Sequence, residues 1–280
     1  MRPLSPVRRP WQLSGTMAES ITSALLAEAG FRHAFFTRRG GVSEPPFESL
    51  NFSSSVGDEP AAVAENLARA AQTLEVPPER LYFLSQVHGT VSHRLRGDEA
   101  PEDVGRREGD ITLSDDREVG CGVRMADCPA VLVGDNQSGA VVAIHSGWRG
   151  TVAGAVPAGL AALRARLGSA GDLVAGVGPH IEQRCFEVGE DVAQQIAAVT
   201  DAGEAIIDRS RPKPHVDLRR VIDAQLKRSG VDRVDHVGGC TMCDATRYHS
   251  YRRDGAVSGR MLAAIVSEAR EGRASKSAIS

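Results

Sequence analysis

The chain has 280 residues, 41% of them apolar, which is enough to bury a large core as one large domain or two small ones. Its 25% charged residues sum to a net charge of only −3, without the basic excess of a dedicated nucleic-acid binder, so no nucleic-acid partner is expected. No apolar run approaches the ~20 residues that span a bilayer, so no membrane partner is expected, and five cysteines, an odd number, favour a reducing cytoplasm over a disulfide framework.

Residues 1–17 carry Arg2, Arg8 and Arg9 but no apolar stretch. They read as a disordered N-terminal extension, or as sequence ahead of a true start at Met17, and not as a secretory signal. Residues 18–29 and 59–74 have apolar residues at helical spacing, the second opened by Asp58 as N-cap. Between them, 32–37 is strand-like and runs into the turn Arg38-Arg39-Gly40-Gly41. Residues 81–87 read as a strand ending at His88-Gly89, and the polar stretch 96–110 as an exposed loop. Three apolar runs follow at 119–125, 129–133 and 140–144. Residues 151–167 place Val152, Val156, Leu160, Leu163 and Leu167 on one helical face, with Pro157 expected to kink or shorten that helix. Residues 173–177 form a strand before the Gly178-Pro179 break. Asp217 caps a helix whose buried stripe is Leu218, Val221, Ile222 and Leu226. Residues 234–237 read as a late strand, 259–270 as a closing helix, and 272–280 as a disordered tail. Strands alternating with helices predict an α/β fold of layered sheets and helices. With no repeat, linker or convincing boundary, residues 18–271 are expected to form a single catalytic domain.

Three segments place a metal-ligating residue at a strand end among small residues: Ser85-Gln86-Val87-His88-Gly89, Met125-Ala126-Asp127-Cys128-Pro129 and Ile144-His145-Ser146-Gly147-Trp148-Arg149-Gly150. Two imidazoles and a thiolate suit Zn²⁺ and leave a fourth position for water or substrate, as in catalytic rather than structural zinc. Spacing alone is weak support, because an isolated His or Cys beside a strand is more often plain packing. A second constellation competes. His236, Cys240-Thr241-Met242-Cys243 and His249 have the close CxxC spacing of structural zinc, and on spacing alone this set ranks higher. A packed thiol pair or a redox CxxC are the alternatives, and a chain this long does not need a staple to fold.

Arg38 beside Gly40-Gly41, Arg149 between Gly147 and Gly150, and Arg252-Arg253 before Asp254-Gly255 suit phosphate or carboxylate capture, because bare backbone lets an anion approach the guanidinium fork. For any single arginine, surface solvation is the commoner role. Asp127, adjacent to Cys128, could orient a ligand, carry a proton or cap a turn.

Several stretches closely resemble the YfiH/YlmD family, whose members go by polyphenol oxidase or "laccase domain" protein, peptidoglycan editing factor and purine nucleoside phosphorylase. They are 35–43 (FFTRRGGVS), Ser49-Leu50-Asn51, 86–90 (QVHGT), 126–132 (ADCPAVL), 144–150 (IHSGWRG), 178–181 with 185–189, 240–243 and 250–255. The resemblance runs in order from about residue 31 to 267. It implies a single-domain α/β fold with mixed sheets and a Zn²⁺ site at His88, Cys128 and His145, which reverses the ranking by spacing. It places the family's glycine-flanked arginine on Arg38. On the chemistry of the residues themselves, Arg38 or Arg149 would hold phosphate, with Asn51 a further substrate contact, and Asp127 would carry a proton beside Cys128, which gives Arg38, Asp127 and Cys128 as the expected catalytic set. The implied activity is phosphorolysis of adenosine, inosine and S-methyl-5′-thioadenosine, with adenosine deamination alongside, in a cytoplasmic monomer or weak homo-oligomer. Ser146 stands where the family usually has Ala, and Tyr248-His249-Ser250 where Phe-Phe-Ser or Tyr-Phe-Ser is usual, so His249 is expected to add a polar group near the pocket.

Two rival enzymes share these residues. Cu²⁺ could replace Zn²⁺ for phenol oxidation, since affinity alone favours copper, but one two-His, one-Cys site lacks the several coppers that oxygen reduction to water requires. A hydrolase acting on peptidoglycan precursors would use Cys128 as nucleophile and His145 as base. A zinc-stapled binding protein without catalysis is the reading from outside enzymology, and it predicts unfolding when metal is removed.

Overall fold

Runs of consecutive apolar residues with no polar alternate face are stable only as strands covered on both sides, and such runs form the centre of this fold. The structure, a computed structural model, describes residues 17–167 and 171–268. Its strands are β1 (Ser20–Ile21), β2 (His33–Phe36), β3 (Leu81–Tyr82), β4 (Ser92–Arg94), β5 (Ile111–Ser114), β6 (Gly120–Met125), β7 (Ala130–Asp135), β8 (Val141–His145), β9 (Leu173–Val177), β10 (Ile207–Asp208), β11 (His215–Val216), β12 (Arg233–His236) and β13 (Met261–Val266). Its helices are α1 (Ala24–Glu28), α2 (Pro60–Leu74), α3 (Pro101–Arg106), α4 (Trp148–Ala153), α5 (Ala155–Leu167), α6 (Glu190–Ala197), α7 (Leu218–Arg228) and α8 (Tyr251–Asp254).

One sheet has the order β1-β2-β13-β6-β3 and a larger one β12-β9-β7-β8-β5-β4, with β10 and β11 paired apart. Both large sheets are mixed: β3 joins β6 in parallel, as do β12 with β9 and β4 with β5, and the remaining pairings are antiparallel. The face of the six-stranded sheet carrying Val131, Val142 and Ile144 packs with the α5 and α7 residues Leu160, Leu163, Val221 and Leu226. Its opposite face, through Leu132 and Ala143, packs with Val123, Ala263 and Phe35 of the other sheet. The fold is therefore the mixed α/β layer structure that the alternation of elements predicts. No helix among the described residues is long and apolar enough to cross a membrane.

The expected helix over 259–270 is instead β13. All six of its residues are buried, and it pairs antiparallel with β2 on one side and β6 on the other. Met, Leu and Ala favour helix intrinsically, but burial on both faces and two hydrogen-bonded ladders override that preference. The last two residues of the expected helix, the tail 272–280 and residues 1–16 lie outside the described residues.

Other expectations shift locally. Within 18–29, Ser20 and Ile21 pair with β2, and the Ser23 hydroxyl accepts from Leu26 N, which confines the helix to α1. Asp58 does not cap α2. Its carboxylate accepts from Glu59 N and from the Ser43 hydroxyl and Asn51 amide, and the helix opens on Pro60, whose missing N–H costs nothing there. Only Leu81 and Tyr82 of 81–87 pair as a strand. The stretch 96–110 contains α3, with Glu102 and Asp103 in its first turn, where the helix dipole favours acid. The helix over 151–167 breaks at Gly154, held at φ 86°, leaving Pro157 in the first turn of α5. Asp217 does cap α7, accepting from Arg220 N, and the stripe Leu218, Val221, Ile222 and Leu226 is buried as expected.

Leu262 on β13 is fully buried beside Phe36, Leu74 and Leu81. Leu262→Ala should cost about 2–5 kcal/mol, read as a lower urea midpoint with unchanged m-value. A loss under about 0.5 kcal/mol would be incompatible with a central, doubly packed strand.

Candidate metal centre

Three of the sequence-predicted residues converge. The donor atoms of His88, Cys128 and His145 all lie within 4.8 Å of one another, and the two imidazole rings stand edge to face with centroids 4.9 Å apart. Cys128 Sγ is 3.8 Å from His88 Nε2. Each residue comes from the end of a different segment: His145 closes β8, Cys128 sits in the connection from β6 to β7, and His88 follows the short β3. His145 is buried, Cys128 half-buried and His88 exposed, so the trio faces a solvent-connected cleft. Zinc bonds of about 2.0–2.3 Å in a tetrahedron need donors roughly 3.3–3.8 Å apart. The set fits with little movement. Gly147 makes room for it, since a Cβ there would come within 2.7 Å of Cys128 Sγ and 2.8 Å of the His88 ring.

The residue that organises this trio is Asp110, which sequence reasoning missed inside a stretch read as loop. It is fully buried, and its carboxylate accepts from His145 Nδ1 at 2.7 Å and from the backbone N–H groups of Val87, His88 and Gly89 at 3.2, 3.0 and 2.7 Å. Burial would push this carboxyl up, but the hydrogen bond from His145 and the backbone donors hold it below its ordinary range. With Nδ1 donating to the Asp110 carboxylate, Nε2 of His145 is the nitrogen free to ligate a metal. The only local signal was an aspartate beside Gly109 just ahead of a buried strand.

His88 and Asp127 are both held at positive φ, 61° and 87°. Non-glycine residues rarely sit there unless neighbours enforce it. Asp110 enforces the first. For the second, Asp127 accepts from Thr241 Oγ1 and Arg252 N, each at 2.6 Å. With both oxygens so engaged, Asp127 is suited to anchoring the Cys128 loop rather than to carrying a proton.

The ligand trio opens into a cleft of about 730 Å³, also lined by Arg124, Arg149, Arg260, Trp148, Phe186 and Tyr251. A wider cleft of about 1130 Å³ elsewhere holds no candidate ligand trio, and its Arg32 and Arg94 pair with Glu268 and Asp115. Arg38 and Asn51 do not line the cleft of the trio. Arg38 donates to the carbonyls of Glu48 and Ala245 and lies 3.6 Å from the Glu48 carboxylate. Asn51 is fully buried and satisfied, donating to Ser53 O and Asp58 while its Oδ1 accepts from Ser53 N and Arg260 N. Asn51 braces the cleft-lining Ser53 and Arg260 from behind, and Arg38 ties the 48–49 turn to the segment 245–247. Arg149 does line the cleft, stacked 4.4 Å from the Trp148 ring. His249 is buried and does not line it; its ring packs on Gly259 with Nε2 unpartnered, and burial together with nearby Arg38 pushes its pKa down to about 3.

Sequence reasoning also missed Arg124 and Arg260. Arg124 reaches Ser53 Oγ and Leu84 O, and Arg260 donates to the carbonyls of Ser258 and Gly259. Among the described residues neither is paired with a carboxylate. Burial, with Arg260 nearby, pushes Arg124 down to about 10. Two mutually repelling, carboxylate-free arginines in a cleft form a ready anion site. In sequence they stand in a buried strand and just before another, where nothing distinguishes them from solvated charges.

Two measurements test the centre. Asp110→Asn keeps the shape but weakens the acceptor, and zinc affinity should fall about 10- to 100-fold in chelator competition; unchanged affinity would remove Asp110 from the site. In metal-stripped protein, burial would raise the Cys128 thiol, but His145 and His88 outweigh it and bring it down to about 6; burial would likewise lower His145, but the same thiolate and Asp110 outweigh it and lift His145 to about 9. The thiolate fraction therefore grows as pH rises through about 6. Iodoacetamide alkylation of Cys128 should rise with that midpoint, and His145→Ala should move it toward 9.

A family model described as multi-copper polyphenol oxidoreductase laccase matches residues 32–268. The chain is 36% identical over 232 residues to a purine nucleoside phosphorylase of Streptomyces coelicolor, an alignment covering 83% of this chain and 93% of that one. YlmD from Geobacillus stearothermophilus has a TM-score of 0.80 at 28% identity, covering 86% of this chain and 93% of its own. The hypothetical protein YfiH from Bacillus licheniformis has a TM-score of 0.80 at 26% identity, covering 84% and 92%. With the laccase-type family model spanning most of its length and these relatives aligned nearly end to end, the chain belongs to the YfiH/YlmD family.

Proposed function

We propose that this protein is a zinc-dependent purine nucleoside phosphorylase, acting on adenosine, inosine and S-methyl-5′-thioadenosine, with adenosine deamination as a side reaction. The observation that carries the reading is one cleft holding both a His-Cys-His donor trio and the partly buried Arg124 and Arg260, which among the described residues have no carboxylate partner. The name of the Streptomyces coelicolor relative supports it. His88, Cys128 and His145 would hold the metal, which when bound supplies a Lewis acid with an open fourth position and a means of activating water for deamination.

Phosphorolysis needs phosphate aimed at C1′ of the ribose and a purine held as leaving group. Arg124 and Arg260 suit the phosphate, since a desolvated guanidinium pair binds a dianion and offsets its charge. Arg149 at the rim can guide the anion inward. Tyr251 and Trp148 line the cleft, each with an arginine over one ring face, and the remaining aromatic surface suits the base. Burying the sugar between these groups turns a bimolecular attack into an effectively intramolecular one.

A second reading has its own observation. Without metal, Cys128, His145 and Asp110 stand in the order of a nucleophile, base and orienting carboxylate, the arrangement a cysteine hydrolase of peptidoglycan precursors would use. Metal content separates the two: as-purified protein should resist iodoacetamide at Cys128 if zinc is bound there. Copper-dependent phenol oxidation is less well supported, because the trio is the only histidine-containing donor set among the described residues.

The decisive experiment is a nucleoside panel with and without phosphate, with products separated by chromatography. Adenosine plus phosphate should give adenine and ribose 1-phosphate; without phosphate, the product should be inosine. Arg124→Ala and Arg260→Ala should each lower phosphorolytic kcat/KM about 10- to 150-fold, the loss of one charged contact of roughly 1.5–3 kcal/mol, and should affect deamination much less. Arg38→Ala should lower stability instead. No turnover of any nucleoside by protein of confirmed zinc content would overturn the assignment.

A further inference from the structure

The CxxC of the sequence finds its third partner far away. Cys185 Sγ lies 3.2 Å from Cys243 Sγ, 58 residues distant in sequence, and the sulfurs of Cys185, Cys240 and Cys243 all fall within 4.8 Å of one another. None is in a disulfide. The two histidines expected to complete a zinc finger-like set do not join: His236 is 3.0 Å from Asp223, and His249 is buried against Gly259. What remains is an all-sulfur donor set, graded from buried Cys240 through half-buried Cys185 to exposed Cys243, so an ion could reach it from solvent.

Two donors face the cluster. Glu182 N points at Cys240 Sγ from 3.5 Å, and the Arg184 guanidinium lies against Cys240 and Cys243, where it offsets negative charge. Zn–S bonds of about 2.3 Å place tetrahedral sulfurs roughly 3.8 Å apart, so closure on an ion needs only small side-chain rotations. Three soft donors with no oxygen or nitrogen select a thiophilic ion over magnesium or calcium.

We propose that Cys185, Cys240 and Cys243 form a second metal site, separate from the His88-Cys128-His145 centre, that takes one Zn²⁺ with its fourth position open to solvent. Binding would release the thiol protons to solvent. The ion would clip the segment 182–188, which supplies Phe186, Glu187 and Val188 to the cleft, to the turn 240–243. That turn also holds Asp127 through Thr241, while Arg252 ties Asp127 and the Glu187 carbonyl together. The second ion would thus brace the cleft wall without touching substrate.

The test uses the full chain, reduced and stripped with chelator, then dialysed against Zn²⁺ for metal analysis. Wild type should hold about two equivalents. Cys185→Ser with Cys243→Ser should hold one, and so should Cys128→Ser with His145→Ala. In unmutated protein, which removes any question of misfolding, Zn²⁺ should slow alkylation of exposed Cys243 at least tenfold by mass spectrometry. One equivalent in wild type, with Cys243 alkylated equally fast with and without Zn²⁺, would overturn the proposal. Because the readouts are metal content and thiol protection, they are independent of whether any nucleoside turns over.

Discussion

The carboxylate of Asp110 accepts four hydrogen bonds, three from the backbone of 87–89 and one from His145 Nδ1, and the geometry of the candidate centre follows from them. A fully buried carboxylate is costly unless its lone pairs are met, so once Asp110 is in place the 87–89 turn and the His145 ring must come to it. Its own backbone carbonyl also accepts from His145 N at 2.8 Å, which registers the end of β8 against the start of β5. The exposed His88 is thereby held at positive φ with its imidazole toward Cys128 rather than free in solvent.

Around this point the charges are arranged in opposition. Cys128 lines the cleft with Asp110 buried behind His145, and Arg124 and Arg260 bring positive charge to the same cleft. Arg260 feels the Cys128 thiolate directly. A cation bound by the trio and an anion bound by the arginines would each make the other's binding more favourable, because opposite charges in one cleft attract. The coupling is strengthened where the cleft wall is dry, as at buried Phe186.

The loop carrying Cys128 is secured from the opposite side by Asp127, which faces Thr241 and Arg252 instead of the ligands. Cys128 is thus held between two polar networks, one centred on Asp110 and one on Asp127, and the second runs on to the cysteines at 185, 240 and 243. A disturbance at those thiols has a short covalent and hydrogen-bonded route to Cys128.

Much of the site is legible in the order of the amino acids alone. His88, Cys128 and His145 stand in motifs whose resemblance to a family outweighs their uninformative spacing, although only His145 proves to end a strand, and β6 to β9 are visible as apolar runs. The α7 cap and stripe are equally plain, because a cap and a helical face are local patterns that survive any tertiary context. What the sequence by itself leaves undecided are matters of long-range neighbourhood. Residues 261–266 become a strand because β2 and β6 are there to pair with it, although local propensity favours a helix. Arg38 carries the glycine-flanked signature of an anion site and Asn51 stands in a family motif, yet folding spends their hydrogen bonds on carbonyls and buried polar groups, and the guanidinium groups of Arg124 and Arg260 arrive in the cleft from on or beside strands that meet only in the sheet. Asp110 and Cys185 are invisible for the same reason: a lone carboxylate or thiol gains its role from partners that the chain brings to it from far away in sequence.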